Sequence, residues 1–191
     1  MREAAIVSTA RTGLAKSFRG GFNNTTGVRM GAPTLKAAIE RAGIDAAEVD
    51  DVIWGCGNPE GATGMNVART TAIAAGCPVS TSGTTINRFC SSGLQAIATA
   101  AGRIVTDGVD VMAAGGVESI SLVQPNANRN NVVDGELFEH LPGLYMPMIE
   151  TADIVAARYN VSREYQDEYS LMSQQRCAAA QEAGKFDDEI I

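Results

Sequence analysis

The chain has 191 residues, 45% of them hydrophobic and 19% charged, with 20 Gly and 6 Pro. This is ordinary globular composition, and it excludes disorder, collagen and coiled coil. The formal charge of −7 slows encounter with polyanions, and no local basic patch offsets it, so no nucleic-acid partner is expected.

Residues 1–30 carry Arg2, Glu3, Arg11, Lys16, Arg19 and Arg29 without a continuous apolar stretch. They read as neither a signal peptide nor a membrane span, and the expectation is a cytoplasmic protein with no membrane attachment. The cysteines Cys56, Cys77, Cys90 and Cys177 lack CxxC spacing and sit in apolar or helical contexts. They read as thiols rather than a disulfide framework or a zinc site, and no metal is expected.

Along the first half, short apolar runs alternate with helical patterns, the signature of an α/β fold. Ala4 to Ser8 is a β-like run. Pro33 to Ala42 carries Leu35, Ala38, Ile39 and Ala42 at helical spacing, which predicts a helix with Pro33 in its first turn and Gly43 as the stop. Further strands are predicted at Val52 to Trp54, Thr84 to Asn87 and Val109 to Ala114, and further helices near Asn66 to Ala75 and at Ser92 to Val105. Val117 to Pro147 is rich in Asn and weakly periodic, a long connection of the kind that often carries function. Helices are predicted beyond it, over Glu150 to Tyr159 and over Ser162 to Ala183. Ser162 is the N-cap of the second, and Gly184 lies just past its end.

Between Glu60 and Asp107 there is no acidic residue, and only Arg69, Arg88 and Arg103 are basic. Phe89 to Gly102 has no charge at all, so the helix within it should be enclosed on most sides, either by its own domain or by a partner chain.

Cys90 falls between the β-like Thr84 to Asn87 and the helix introduced by Ser91, Ser92 and Gly93. The positive end of a helix favours thiolate over thiol, and the small residues leave room for a substrate carbonyl. The backbone N–H of Cys90 could help to hold an oxyanion. A buried, inert cysteine fits the same pattern, since free Cys is among the most buried residue types.

The run NRFCSSGLQAI, Asn87 to Ile97, resembles the active-site segment of the thiolases. Other segments match in the same order: ARTGLAKSFRGGF near the start, GVESIS at Gly116 to Ser121, PMIETADIVA at Pro147 to Ala156, and SREYQDEYSLMSQQRCAAAQEAGKFDDEI toward the end. The resemblance spans nearly the whole chain. It implies a thiolase-like layered α/β/α N-terminal domain, residues 1–116, which carries the nucleophile and lacks its last strand. Residues 117–191 would then open a mostly helical loop domain that covers the substrate.

Cys90 would be the nucleophile and acyl-CoA and coenzyme A the substrates, with no cofactor beyond them. Pro147 and Met148 resemble the pair found in degradative 3-ketoacyl-CoA thiolases, which makes Met148 a candidate substrate-binding residue. Ile149 and Glu150 depart from the family pattern, and Met148 also fits core packing. The glycines of Gly116 to Ser121 read as a tight turn rather than a catalytic element.

Thiolase chemistry, as the resemblance implies, also needs a histidine, a second cysteine and an asparagine-held water, which the family carries in the half that follows. His140 lies outside any matching motif, and Cys56, Cys77 and Cys177 do not match the second-cysteine motif; the latter two read as packing thiols. The chain therefore reads as about half an enzyme, a truncation or one subunit of a split thiolase. A complementary C-terminal half and a homo- or hetero-oligomer are the expected partners. Ketoacyl synthases share the fold but usually carry an acid where this chain has Asn87. A non-catalytic acyl-CoA-binding or scaffolding subunit is the alternative from another class.

Overall fold

A computed structural model describes residues 2–191. The chain forms two compact units: one runs to Ala127 and regains Glu189–Ile191, and the other is Asn128–Asp188. The first unit thus extends past the division after Gly116 expected from the sequence.

The first unit is built on three parallel strands in the order β2-β1-β3. They are β1 (Asp51–Gly55), β2 (Ser82–Ile86) and β3 (Met112–Gly116), in register from Asp51 opposite Ser82 and Met112. Helix α1 (Gly27–Ala42) precedes β1, the helices α2 (Val67–Ala74) and α3 (Ser92–Thr106) supply the crossovers, and α4 (Ile120–Val123) follows β3. Every residue of the central strand β1 is buried. Its alternating side chains feed two cores. Val52 and Trp54 join Leu35 and Ile39 of α1 and Val67, Ala68 and Ala72 of α2, whereas Ile53 packs on Ala96 and Ala100 of α3. The result is the α/β/α layering expected from the sequence.

Two contacts lock α3 onto the sheet. Asp51, at the start of β1, is buried and paired with Arg103 in the last turn of α3. At the other end, Gly55 has no room for a side chain: a Cβ there would lie 2.4 Å from the Ser92 carbonyl carbon. The first residue of α3 therefore rests on backbone at the carboxyl end of β1.

Helix α1 begins at Gly27, not near Pro33, so Pro33 lies inside it. Gly27, Gly31 and Ala32 are buried, and a Cβ on Gly31 would press on Thr71 of α2 at 3.0 Å. Close packing of small residues holds the first turns despite poor intrinsic propensity, a tertiary override that the Leu35 periodicity did not reveal. Gly43 caps the helix in the left-handed region, with φ 70°, as the sequence suggests.

Ala4 to Ser8 is not a strand. Ile6 and Val7 are 75% and 77% exposed, and the segment is tied to α1 where the Ser8 hydroxyl donates to the Ala38 carbonyl at 2.7 Å. The reason lies at β3. Asp50 N–H donates to Val111 O, and Val117 N–H donates to Gly55 O, so the odd-numbered residues of β3 face β1. By the alternation of a parallel ladder, the backbone groups of Met112, Ala114 and Gly116 face the opposite, unpaired edge. That edge and Ala4 to Ser8 line one cavity of about 820 Å³, together with Ile97 and Ile104 of α3. A β-like run without a ladder neighbour stays irregular.

Helix α3 is not enclosed within the described residues. Only Ser92, Ala96 and Ala100 are buried, while Leu94 is 71% exposed and Ile97 and Val105 are also open. Its charge-free sequence therefore leaves an apolar face uncovered by this chain.

The second unit holds α5 (Gly135–His140), α6 (Met148–Arg158) and α7 (Arg163–Glu182). Asp134 caps α5 by accepting from Leu137 N–H at 2.8 Å, and Ser162 caps α7 by accepting from Tyr165 N–H at 3.2 Å. None of the three helices has a buried residue. No helix among the described residues is long and apolar enough to cross a membrane.

Gly55→Ala should lower the stability of the first unit by about 2–4 kcal/mol, because a methyl group must displace backbone rather than a side chain. Denaturant unfolding checks this; an unchanged midpoint would contradict the packing of α3 on β1.

Candidate active site

The turn that carries Cys90 is assembled by short-range hydrogen bonds. Strand β2 ends at Ile86, residues Phe89–Ser91 form one 3-10 turn, and α3 starts at Ser92. The Asn87 Oδ1 accepts from Phe89 N–H at 2.8 Å, the local bond that Asn side chains make readily in turns. The Ser92 hydroxyl accepts from Arg88 N–H at 2.8 Å and donates to the Phe89 carbonyl at 2.6 Å. These bonds hold Phe89 at φ 45°, a left-handed conformation costly for a bulky side chain. Cys90 follows it and is exposed, so the buried-cysteine alternative does not apply to this thiol.

Because α3 rests on Gly55, this turn lies at the carboxyl end of the sheet, where ligands of open α/β folds bind. A cavity of about 550 Å³ opens there, lined by Gly57, Asn58, Cys90, Gly93, Gly116 and Glu118 among others. Gly57, Gly93 and Gly116 add no side chain to this lining, which also holds Phe89 and Gln124. Cys90 precedes the first residue of α3, as the strand–cysteine–helix reading expects.

Glu118 is the residue that the sequence reading missed. Its Oε2 accepts from Gly57 N–H at 2.8 Å, and its Oε1 accepts from Asn58 N–H and Asn58 Nδ2, both at 3.3 Å. The segment Gly116 to Ser121 is thus more than a tight turn, since it delivers a carboxylate to the cavity that holds Cys90. An acid two residues past the end of an uncharged strand was the available signal.

The other candidates separate by burial. Cys56 is buried, with its sulfur 3.8 Å from Glu118 Oε1. Burial, then the negative charge of Glu118, pushes its thiol above the ordinary value of 9.0. Burial alone pushes Cys77 up as well. Cys177 is exposed on α7, so it is not the packing thiol that its helical context suggested. His140 ends the short helix α5 and is exposed. Met148 opens α6 and is 74% exposed. Both belong to the second unit, whereas the cavity at Cys90 is built wholly from the first. Among the described residues, no group of three His, Cys, Asp or Glu side chains could hold a metal ion.

Three comparisons with known proteins bear on the family. Residues 4–191 match the family model described as "Thiolase, N-terminal domain". The chain belongs to the thiolase family. It is 42% identical over 193 residues to the "3-ketoacyl-CoA thiolase" of Bacillus subtilis, covering 100% of this chain and 49% of that protein. It is also 42% identical over 200 residues to the "Acetyl-CoA acetyltransferase" of Chromobacterium violaceum, covering 99% and 50%. The crystal structure of the Bacillus anthracis acetyl-CoA acetyltransferase superimposes with a TM-score of 0.84 at 36% identity, covering 100% of this chain and 50% of that one. The chain has the thiolase fold and spans about half the length of the curated relatives it matches.

The raised thiols give a pH signature. A thiol whose folded value lies above its unfolded value stabilises the fold fully below that unfolded value, here near 9.0, and the contribution is lost as pH rises beyond it. Denaturant midpoints should therefore fall above that pH in the parent, and fall less steeply when Cys56→Ala and Cys77→Ala are combined. Equal slopes would contradict the assignment.

Proposed function

We propose that this thiolase chain carries the nucleophilic cysteine for acyl transfer between coenzyme A thioesters. The observation behind the proposal is that Cys90, within the matching run NRFCSSGLQAI, is exposed at the strand-to-helix turn and lines a cavity at the carboxyl end of the sheet.

In the degradative direction the Cys90 thiolate attacks the keto carbon of a 3-ketoacyl-CoA. The bond between that carbon and the α-carbon breaks, and its electron pair leaves with the acetyl-CoA fragment. A proton delivered to that α-carbon completes acetyl-CoA. The acyl group stays on sulfur until the thiolate of a second coenzyme A attacks the thioester, releasing the shortened acyl-CoA and restoring the Cys90 thiolate. Run in reverse, the first step is a Claisen condensation. Backbone N–H groups at the start of α3 are suited to the oxyanion that forms in each attack.

Residues 117–191 begin the domain that covers the substrate in this reading, with Met148 against the acyl chain and the Pro147–Met148 pair favouring the degradative type. The histidine and second cysteine come from a complementary half, in keeping with the doubled length of the relatives. The same half supplies a strand to the cavity between β3 and Ala4 to Ser8, where the outward backbone groups of Met112, Ala114 and Gly116 meet an apolar segment. Pairing there would give Ala4 to Ser8 its missing neighbour and remove an open sheet edge.

In the completed enzyme, Cys90→Ala should abolish thiolysis of a 3-ketoacyl-CoA, measured as acetyl-CoA release. Full activity in that variant would defeat the catalytic reading and leave a non-catalytic acyl-CoA-binding subunit. The chain by itself should associate or aggregate and show no thiolysis. A compact, fully active monomer of the chain alone would refute the need for a complementary half.

A further inference from the structure

We infer that Glu118 is a positioning residue for Cys90, acting through the Gly57 peptide and the Asn87 side chain to hold the strained backbone at Phe89. The inference rests on Cys90 being the nucleophile proposed above, and it adds a residue from a different element to that site.

The connection is continuous. Glu118 Oε2 accepts from Gly57 N–H at 2.8 Å, and the carbonyl of the same residue accepts from Asn87 Nδ2 at 3.1 Å. The Asn87 amide is thereby oriented, and its Oδ1 is free to accept from Phe89 N–H at 2.8 Å. Phe89 is held at φ 45°, and Cys90 is the next residue.

Gly57 sits between the carboxylate and the strained turn. A Cβ there would lie 3.0 Å from Glu118 Oε2 and 3.7 Å from the Phe89 carbonyl oxygen. The loop after β1 is thus gripped on its N–H side by Glu118 and on its C=O side by Asn87, with no slack for either to drift. A left-handed Phe persists only where its surroundings over-determine it. Ser92 restrains the turn from the α3 side, and Glu118 restrains it from the sheet side.

The carboxylate's own bonding argues against a proton-transfer role. Both oxygens face N–H donors, Gly57 on one and Asn58 twice on the other, and a carboxylate so engaged is an anchor. The carboxylate is connected to the Cys90 turn through the Gly57 peptide and the Asn87 side chain, so its benefit to Cys90 comes from geometry.

The test measures the rate of Cys90 alkylation by iodoacetamide at fixed pH, read by peptide mapping. Exposed Cys177 of the second unit is the internal reference, and buried Cys77 reports loss of fold. Glu118→Ala should slow Cys90 about fivefold to tenfold relative to Cys177, as the turn relaxes away from the mouth of α3. Glu118→Gln keeps an acceptor for Gly57 N–H and should stay within about twofold of the parent. Adding Phe89→Gly to Glu118→Ala should restore most of the rate, because glycine adopts the left-handed conformation without restraint. If labelling of Cys77 shows that Glu118→Ala has unfolded, Asn87→Ala breaks the same connection and should be rescued by Phe89→Gly in the same way.

A Glu118→Ala rate within about twofold of the parent would overturn the inference, as would equal effects of Ala and Gln or no rescue by Phe89→Gly. Iodoacetamide does not depend on acyl chemistry. Failure of Cys90 to accept an acyl group would thus sink the nucleophile reading while these alkylation rates still judge Glu118.

Discussion

Everything at the site depends on the contact between Gly55 and Ser92. With no side chain at the end of β1, the first residue of α3 comes down onto strand backbone, where a single added carbon would lie 2.4 Å from the Ser92 carbonyl carbon. That approach places the turn of Phe89–Ser91 above the carboxyl end of the sheet, and the Asp51–Arg103 pair fixes the far end of the helix so that α3 cannot tilt away. The exposure of Cys90 is a consequence of this geometry. A helix docked with an ordinary side chain at position 55 would stand off the sheet, and the loop after β1 could no longer reach Asn87.

The cost of presenting the thiol is a non-glycine residue in the left-handed region, and the surrounding bonds distribute that strain. Asn87 and Ser92 act within the turn, whereas Gly57 and Glu118 bring in the loop after β1 and the residues after β3. Three strand ends therefore converge on one sulfur. This is how an open parallel sheet concentrates function at one edge, since each strand contributes its following loop to the same place.

Much of this was legible in the sequence. The βαβ alternation, the capping residues Ser162 and Gly43, and the position of Cys90 between a strand and a helix all follow from local chemistry, and the run Asn87 to Ile97 carries the family. Long-range contacts were not legible. The early start of α1 depends on Gly31 meeting Thr71, the anchoring of Gly57 depends on a carboxylate 61 residues away, and neither leaves a periodic trace. Ala4 to Ser8 has strand composition without strand structure, because pairing needs a neighbour and β3 faces it only across a cavity. The charge-free stretch around α3 suggests enclosure on most sides, whereas this chain covers only the side that carries Ser92, Ala96 and Ala100.

The central claim, that the α3-mounted turn makes Cys90 the acyl acceptor, is tested most directly by locating the acyl group. The completed protein would be incubated with an acyl-CoA, quenched in acid and mapped by tandem mass spectrometry across Cys56, Cys77, Cys90 and Cys177. The account predicts a thioester on Cys90 alone. An acyl group on Cys177, which is also exposed, with Cys90 unmodified, or no adduct on any of the four, would contradict it.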